Sequence, residues 1–188
     1  MPEAAGAMPV VNIVGEGVAL GPLRRDLLAD YQRWLNDFAT APMLGNAVPL
    51  TTEQALAWYE QQTTGDALIF GIYERASWRA IGTTTLYDIH HQYGRAGFGI
   101  MIGDAASRGR GYGTEVTRLM LGYACTVLGL HNVMLTVNAY NVAGIRAYEK
   151  AGFREFGRRR ACRPHDGRRW DMVYMDCLAS EFGSPAHG

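Results

Sequence analysis

The sequence predicts an α+β domain: a mixed, mostly antiparallel sheet flanked by helices. Three observations carry this. Three strand-like segments follow one another between residues 67 and 102; a helix–strand–helix alternation follows between residues 112 and 150; and the turn signal Asp166-Gly167 separates two final strands. At 188 residues the chain is long enough for one sizeable core and too short for two ordinary domains. No linker, repeat or low-complexity stretch divides it, so a single domain is expected over residues 10–178. Residues 1–9 and 179–188 are rich in Ala, Gly, Pro and Ser and are expected as flexible ends.

Residues 10–20 read as a short strand pair interrupted by Gly15 and Gly17. Residues 24–38 place Leu27, Leu28, Tyr31, Trp34, Leu35 and Phe38 at helical spacing, which predicts a buried helix face. Thr51 or Thr52, followed by Glu53 and Gln54, signals a second helix start; Leu56, Trp58 and Tyr59 carry it to about Gln62, and Gly65 ends it. Strands are expected at residues 67–73, 80–87 and 96–102 as an antiparallel meander. The next helix keeps Val116, Leu119, Met120, Tyr123, Ala124, Val127 and Leu128 near a 3.6-residue period until Gly129. A β-branched strand at 132–137, a short helix at 142–150 closed by Gly152, and a hairpin of residues 153–162 and 168–178 complete the order. That order is β-α-α-β-β-β-α-β-α-β-β.

Composition narrows the function classes. Lys+Arg and Asp+Glu both number 18, so no surplus charge exists to bind a polynucleotide backbone or an anionic membrane. Arginine is nonetheless unevenly spread: Arg108 and Arg110 flank a glycine run, and Arg158, Arg159, Arg160, Arg163, Arg168 and Arg169 crowd the C-terminal quarter. The 3 cysteines, Cys125, Cys162 and Cys177, have no C-x-x-C spacing, which predicts neither a disulfide framework nor a zinc site and points to a reducing, cytoplasmic setting. The N-terminus lacks the pattern of an export signal, and no stretch approaches a membrane span. No metal, nucleic-acid or membrane partner is expected, and homodimerisation stays open.

The chemistry-bearing motif is Arg108-Gly109-Arg110-Gly111-Tyr112-Gly113, set immediately before an amphipathic helix. Glycines there leave backbone N–H groups accessible at the positive end of a helix dipole, a natural anion site, and the arginines add charged donors. Two other phosphate loops are disfavoured. A P-loop needs Gly-Lys-Ser/Thr, where this chain has Gly113-Thr114-Glu115; the dinucleotide fingerprint needs G-x-G-x-x-G directly after a strand, where this chain has G-x-G-x-G five residues beyond one.

The remaining pattern, R-x-x-G-x-G at Arg108, Gly111 and Gly113, resembles the pyrophosphate-binding motif of the GNAT acetyltransferases. It is joined by Asn141 and by the segment from Arg146 to Phe153, similar to that superfamily's second signature. Phe98-Gly99-Ile100-Met101-Ile102-Gly103-Asp104 and the hairpin carrying Asp166-Gly167-Arg168 resemble the branch with ribosomal-protein N-terminal and polyamine acetyltransferases. The likeness spans roughly residues 11–178. It implies an acetyl-CoA-dependent N-acetyltransferase in which a primary amine attacks the thioester directly. Acetyl-CoA would lie along Ile100, Met101 and Ile102 and against Arg108, Gly109, Arg110, Gly111, Tyr112, Gly113 and Thr114, in a groove opened by two splayed strands. Tyr148 would donate a proton to the leaving sulfur, and Asn141 would hold the pantetheine arm or a bridging water.

Each residue also has a plainer reading: a tight loop for the glycines, a helix N-cap for Asn141 and a core ring for Tyr148. Many relatives carry an acidic residue just before the Phe-Gly of the third strand, where this chain has Gly97; Asp88, His90 and His91 follow the preceding strand and could reach the acceptor pocket, the plainer reading being a solvated loop. Trp34, Trp58, Tyr59, Tyr87 and Trp170 are candidates for the acceptor wall, although aromatics at helical spacing more often belong to a core. The acceptor is expected to be a small amine (amino sugar, antibiotic, amino acid or polyamine), the alternatives being a protein N-terminal α-amine or a non-catalytic acyl-CoA-binding module.

Overall fold

The computed structural model describes residues 8–37 and 48–183. An N-terminal hairpin, β1 (Ile13–Val14) and β2 (Val18–Gly21), leads through a 3-10 turn (Arg25–Leu27) into α1 (Leu28–Leu35). The helix predicted for residues 24–38 is therefore shorter than its apolar spacing implied, and Phe38 lies outside the described residues. Helix α2 (Thr52–Thr64) starts on a capping box, with the Thr51 hydroxyl accepting from the Gln54 amide and the Gln54 side chain accepting from the Thr51 amide. The central meander is β3 (Leu68–Glu74), β4 (Ala80–His90) and β5 (Arg95–Ile102). Then come α3 (Tyr112–Gly122), β6 (Asn132–Asn138), α4 (Val142–Ala151), β7 (Arg154–His165) and β8 (Arg168–Leu178).

These strands form one eight-stranded sheet in the order β1-β2-β3-β4-β5-β6-β8-β7. Every neighbouring pair is antiparallel except β5 and β6. That parallel pair is short: only residues 95–97 of β5 face residues 132–134 of β6. Beyond Gly97 the two strands part. Residues 98–102 then pair only with β4, and residues 135–138 only with β8. Strand-edge backbone groups are thereby left facing a gap in the middle of a sheet, and such groups need partners of their own.

The two faces of the sheet have separate cores. On one face, Val133, Leu135 and Val137 of β6 and Val173, Met175 and Cys177 of β8 pack with Phe98 and with Val116, Met120 and Leu121 of α3. On the other, Met101 joins Leu23, Tyr31 and Trp34, with Trp58 and Tyr59 of α2 against them. Alternation along each strand sorts the remaining side chains between these faces.

Four local differences from the sequence reading have physical causes. Strand β4 runs on to His90 through a bulge at Asp88, whose φ of 49° shifts the register. Asp88 and His90 are thus strand residues rather than loop residues, and His91 alone falls in the following turn (His91–Tyr93). Helix α3 ends in a π turn (Tyr123–Val127), the Leu128 N–H donating to the Tyr123 carbonyl at 3.1 Å. Strand β7 continues through Pro164, possible because it is an edge strand, and the turn tightens to Asp166-Gly167, both at positive φ. Residues 179–183, expected as part of a flexible end, pack: Phe182 rests on the α3-side core, and the Ala179 N–H donates to the His131 carbonyl at 2.8 Å.

Candidate active site

The gap between β5 and β6 opens a cleft of about 700 Å³. Strand β5 supplies Ile100, Met101 and Ile102 as one wall; Thr136, Val137 and Asn138 of β6 form the facing wall. The loop before α3 contributes Arg108, Gly109, Gly111, Gly113 and Thr114, and α4 contributes Asn141, Arg146, Tyr148 and Lys150. Of the site residues that the resemblance implies, all line the cleft except Arg110 and Tyr112.

Those two side chains turn to the opposite side of the loop. The Arg110 guanidinium donates to Glu74 Oε1, the Tyr112 hydroxyl donates to the same oxygen at 2.9 Å, and the Arg110 cation sits 5.0 Å from the centre of the Tyr112 ring. The Glu74 carboxylate is buried at the end of β3, and hydrogen bonds from Ser77 and Tyr112, with the Arg110 charge, hold it below the usual carboxylate range. Arg110 and Tyr112 therefore fasten the loop to the sheet. The resemblance places both residues against the cofactor; as a correction, their side chains are turned away from the cleft and anchor the loop. Arg108 does line the cleft, but its guanidinium caps the end of β5: Nε donates to the Ile102 carbonyl at 3.0 Å, and one terminal nitrogen donates to the Gly103 carbonyl at 2.8 Å and to Asp37 at 3.1 Å.

What stays open to the cleft is backbone. Gly109 and Gly111 take φ of 73° and 84°, a region that disfavours side chains. Gly113 has no such reason: it lies inside α3, and a Cβ there would meet no protein atom within 4 Å. Neither protein packing nor strain requires glycine at that position, and in a helix it costs about 1 kcal/mol relative to Ala. No side chain caps α3, so its first-turn amides face the cleft at the positive end of the helix dipole. The one carboxylate of that turn, Glu115, points away and accepts from the Gly17 amide at 2.9 Å.

On α4, Asn141 caps the helix, its Oδ1 accepting from the Gly144 amide at 3.0 Å while the side chain also lines the cleft. The plainer N-cap reading thus holds, and Nδ2 and the second lone pair of Oδ1 are left for other partners. The Tyr148 ring packs edge-on against Phe98 and Phe153, with centroids 6.3 Å and 6.1 Å away. Its hydroxyl has no hydrogen-bond partner among the described residues, and burial, with a smaller contribution from Tyr87, pushes the phenol up to about 12. It is therefore a proton-carrying phenol at neutral pH, held on two aromatic rings and facing the cleft.

Tyr87 was legible only as one of several aromatic wall candidates. Its ring lies over Gly97: a Cβ at residue 97 would sit 2.3 Å from Tyr87 Cε2. The position that the resemblance associates with an acid is thus filled by a tyrosine from the neighbouring strand. Among the other aromatic candidates, Trp34, Trp58 and Tyr59 belong to the core around Tyr31, and Trp170 packs edge-on to Tyr140; none of the four lines the cleft. No Asp, Glu or His is among the described residues that line the cleft, whereas Arg108, Arg146, Lys150 and Arg163 are.

A sheet opened by a splayed parallel pair over an uncapped, glycine-marked helix start defines an acyltransferase of the fold the sequence resembles. The sequence description of the Acetyltransferase (GNAT) domain matches residues 18–154, and the chain belongs to that family. YwnH of Bacillus subtilis, provisionally named a phosphinothricin acetyltransferase, is 28% identical over 154 residues, covering 80% of this chain and 92% of that protein. Spermidine N(1)-acetyltransferase of Vibrio cholerae is 30% identical over 111 residues, 59% of this chain and 64% of its own. YjcK of Bacillus subtilis, provisionally named an N-acetyltransferase, is 36% identical over 88 residues, about half of either chain. The crystal structure of the Vibrio cholerae spermidine N-acetyltransferase with CoA and spermine superposes with a TM-score of 0.80 at 23% identity, covering 88% of this chain and 98% of that one. No helix among the described residues is long and apolar enough to cross a membrane.

Proposed function

We propose that this acetyltransferase takes acetyl-CoA as donor and transfers the acetyl group to the primary amine of a small molecule by direct attack. The observation that carries the reading is the uncapped start of α3, with Gly113 open to the cleft and Arg146 and Lys150 across from it. Backbone amides and two cations converging on one cavity suit a pyrophosphate and a ribose phosphate. The unpaired edge of β5 offers peptide groups to the pantetheine amides, and an N–H there directed at the thioester carbonyl would stabilise an oxyanion by about 2.7–4 kcal/mol.

Tyr148 is the group that protonates the departing sulfur, since it keeps its proton at working pH and its hydroxyl is otherwise unpartnered. With no carboxylate or imidazole among the described residues that line the cleft, the attacking amine loses its proton to water or reacts in its neutral form. The spermidine acetyltransferase relatives act, by name, on a polycation; the described residues that line the cleft include no carboxylate to pair with one, which supports a different acceptor here. Incubation with acetyl-CoA and a panel of primary amines, with free thiol measured continuously, tests the proposal. Amine-dependent thiol release is the expected outcome. Tight acetyl-CoA binding with no release for any amine would instead mark an acyl-CoA-binding module.

A further inference from the structure

Arg163 has a setting that donor binding does not explain. Strand β7 carries a bulge in which residues 160–162 oppose a single residue of β8: Arg159 pairs with Met172 and Arg163 with Trp170. Ala161 takes a φ of 49° there, and its N–H is held by Asp171 Oδ1 at 2.9 Å. Bulges of this kind re-aim side chains, and this one brings Arg163 to the cleft beside Asn138 and Met172.

The face is informative. Val137 and Val173 are committed to the α3-side core, so their neighbours Asn138 and Met172, paired with each other, project to the opposite face, the face of α1 and α2. Arg163 shares that face through its pairing with Trp170, two residues from Met172. It stands across the sheet from Arg146 and Lys150, which lie on α4. Its Nε is sealed from water without a hydrogen-bond partner, and its one hydrogen bond goes from a terminal nitrogen to the Met172 sulfur at 3.6 Å, a weak acceptor. No carboxylate of the described residues pairs with it; Asp171 is used by the bulge, and the exposed Asp166 contacts His165 at 3.4 Å. A half-buried arginine without an anion is costly to keep, and this one is held by a built feature of the strand.

We propose that Arg163 anchors an oxyanion on the acceptor, a carboxylate or a phosphorus acid, so that the substrate is a small zwitterionic amine and not a polyamine. The proposal rests on the acetyltransferase reading of the cleft. A guanidinium binds such groups through paired, charge-assisted hydrogen bonds, which fix the amine's distance from the donor as well as its affinity.

The test uses matched acceptors with the full chain: L-phenylalanine against phenethylamine, 2-aminoethylphosphonate against ethylamine, and spermidine as the polycation. The anionic member of one pair should be preferred in kcat/KM by roughly 10- to 100-fold, the amine-only member and spermidine being poor. The pair that responds says whether the anion is a carboxylate or a phosphorus acid. Arg163→Gln should remove the preference while the Kd for acetyl-CoA stays within about twofold, and Arg163→Lys should restore part of it, which separates recognition from folding. Equal or better turnover of the plain amines or spermidine by the unaltered protein overturns the proposal. So does an Arg163→Gln variant that loses acetyl-CoA affinity and keeps its acceptor preference. Failure of the unaltered protein to bind acetyl-CoA would overturn the underlying acetyltransferase reading instead.

Discussion

Replacing Gly97 should damage this protein only while Tyr87 is present. A methyl at residue 97 would lie 2.3 Å, 2.5 Å and 2.8 Å from three carbons of the Tyr87 ring, its three nearest neighbours and all inside contact distance. Overpacking of this kind costs about 1–3 kcal/mol, against which Gly→Ala in a strand regains about 0.5–1 kcal/mol of chain entropy. Gly97→Ala alone is therefore expected to lose about 1–2 kcal/mol. Tyr87→Ala alone loses packing of a half-buried ring, about 1–3 kcal/mol. The double variant should be no less stable than Tyr87→Ala, because the methyl then enters vacated space; the coupling is about 1.5–3 kcal/mol in favour of the pair. Urea unfolding of the four proteins, with matched m-values, measures it. A Gly97→Ala protein as stable as the parent, or a coupling below about 0.5 kcal/mol, would refute the claim that Tyr87 occupies the acid's place.

Tyr148→Phe should lower kcat by about 10²–10⁴-fold with acetyl-CoA affinity nearly unchanged, since it removes a proton donor and keeps the ring on Phe98 and Phe153; full kcat would make Tyr148 a packing residue only. Because that phenol is pushed up to about 12, the pH–rate profile should show no alkaline fall from it below about pH 11, and the rising limb should move with the pKa of the amine supplied. Gly113→Leu should fold with a Tm close to the parent's and lose at least about tenfold in acetyl-CoA affinity, because a Cβ at that position meets no neighbouring side chain or strand within 4 Å; unchanged affinity in a titration would remove the phosphates from the α3 start. Glu74 has its folded pKa lowered from 4.5, so its contribution is fully present above that value and lost as pH falls through the folded pKa. The parent should accordingly lose stability more steeply than Glu74→Gln on acidification below about pH 5, measured by denaturation across pH.

What could be read from the sequence, and what could not, divides along the range of the interactions. The element order, the α2 capping box and the Asp166-Gly167 turn are written in contiguous residues, and local chemistry decides them. The glycines before α3 were legible for the same reason: a helix start that must expose its amides has to write that need into adjacent positions. Side-chain direction is another matter. Arg108 and Arg110 look equivalent around Gly109, yet one caps β5 and the other meets Glu74, 36 residues away, and no local signal distinguishes them. Gly97 reads as a missing acid until Tyr87 is placed over it by the β4–β5 register, and Trp34, Trp58 and Tyr59 read as wall or core alike until the α1–α2 packing assigns them to the core. Arg163 is one of six arginines between residues 158 and 169, with nothing nearby in sequence to single it out. Its distinction comes from a bulge that depends on Ala161 adopting a positive φ and on Asp171 in the partner strand. On the proposed reading, the donor side of the cleft is built from contiguous motif and the acceptor side from register and bulges, so acceptor choice would change by shifts in strand pairing that leave the motif intact.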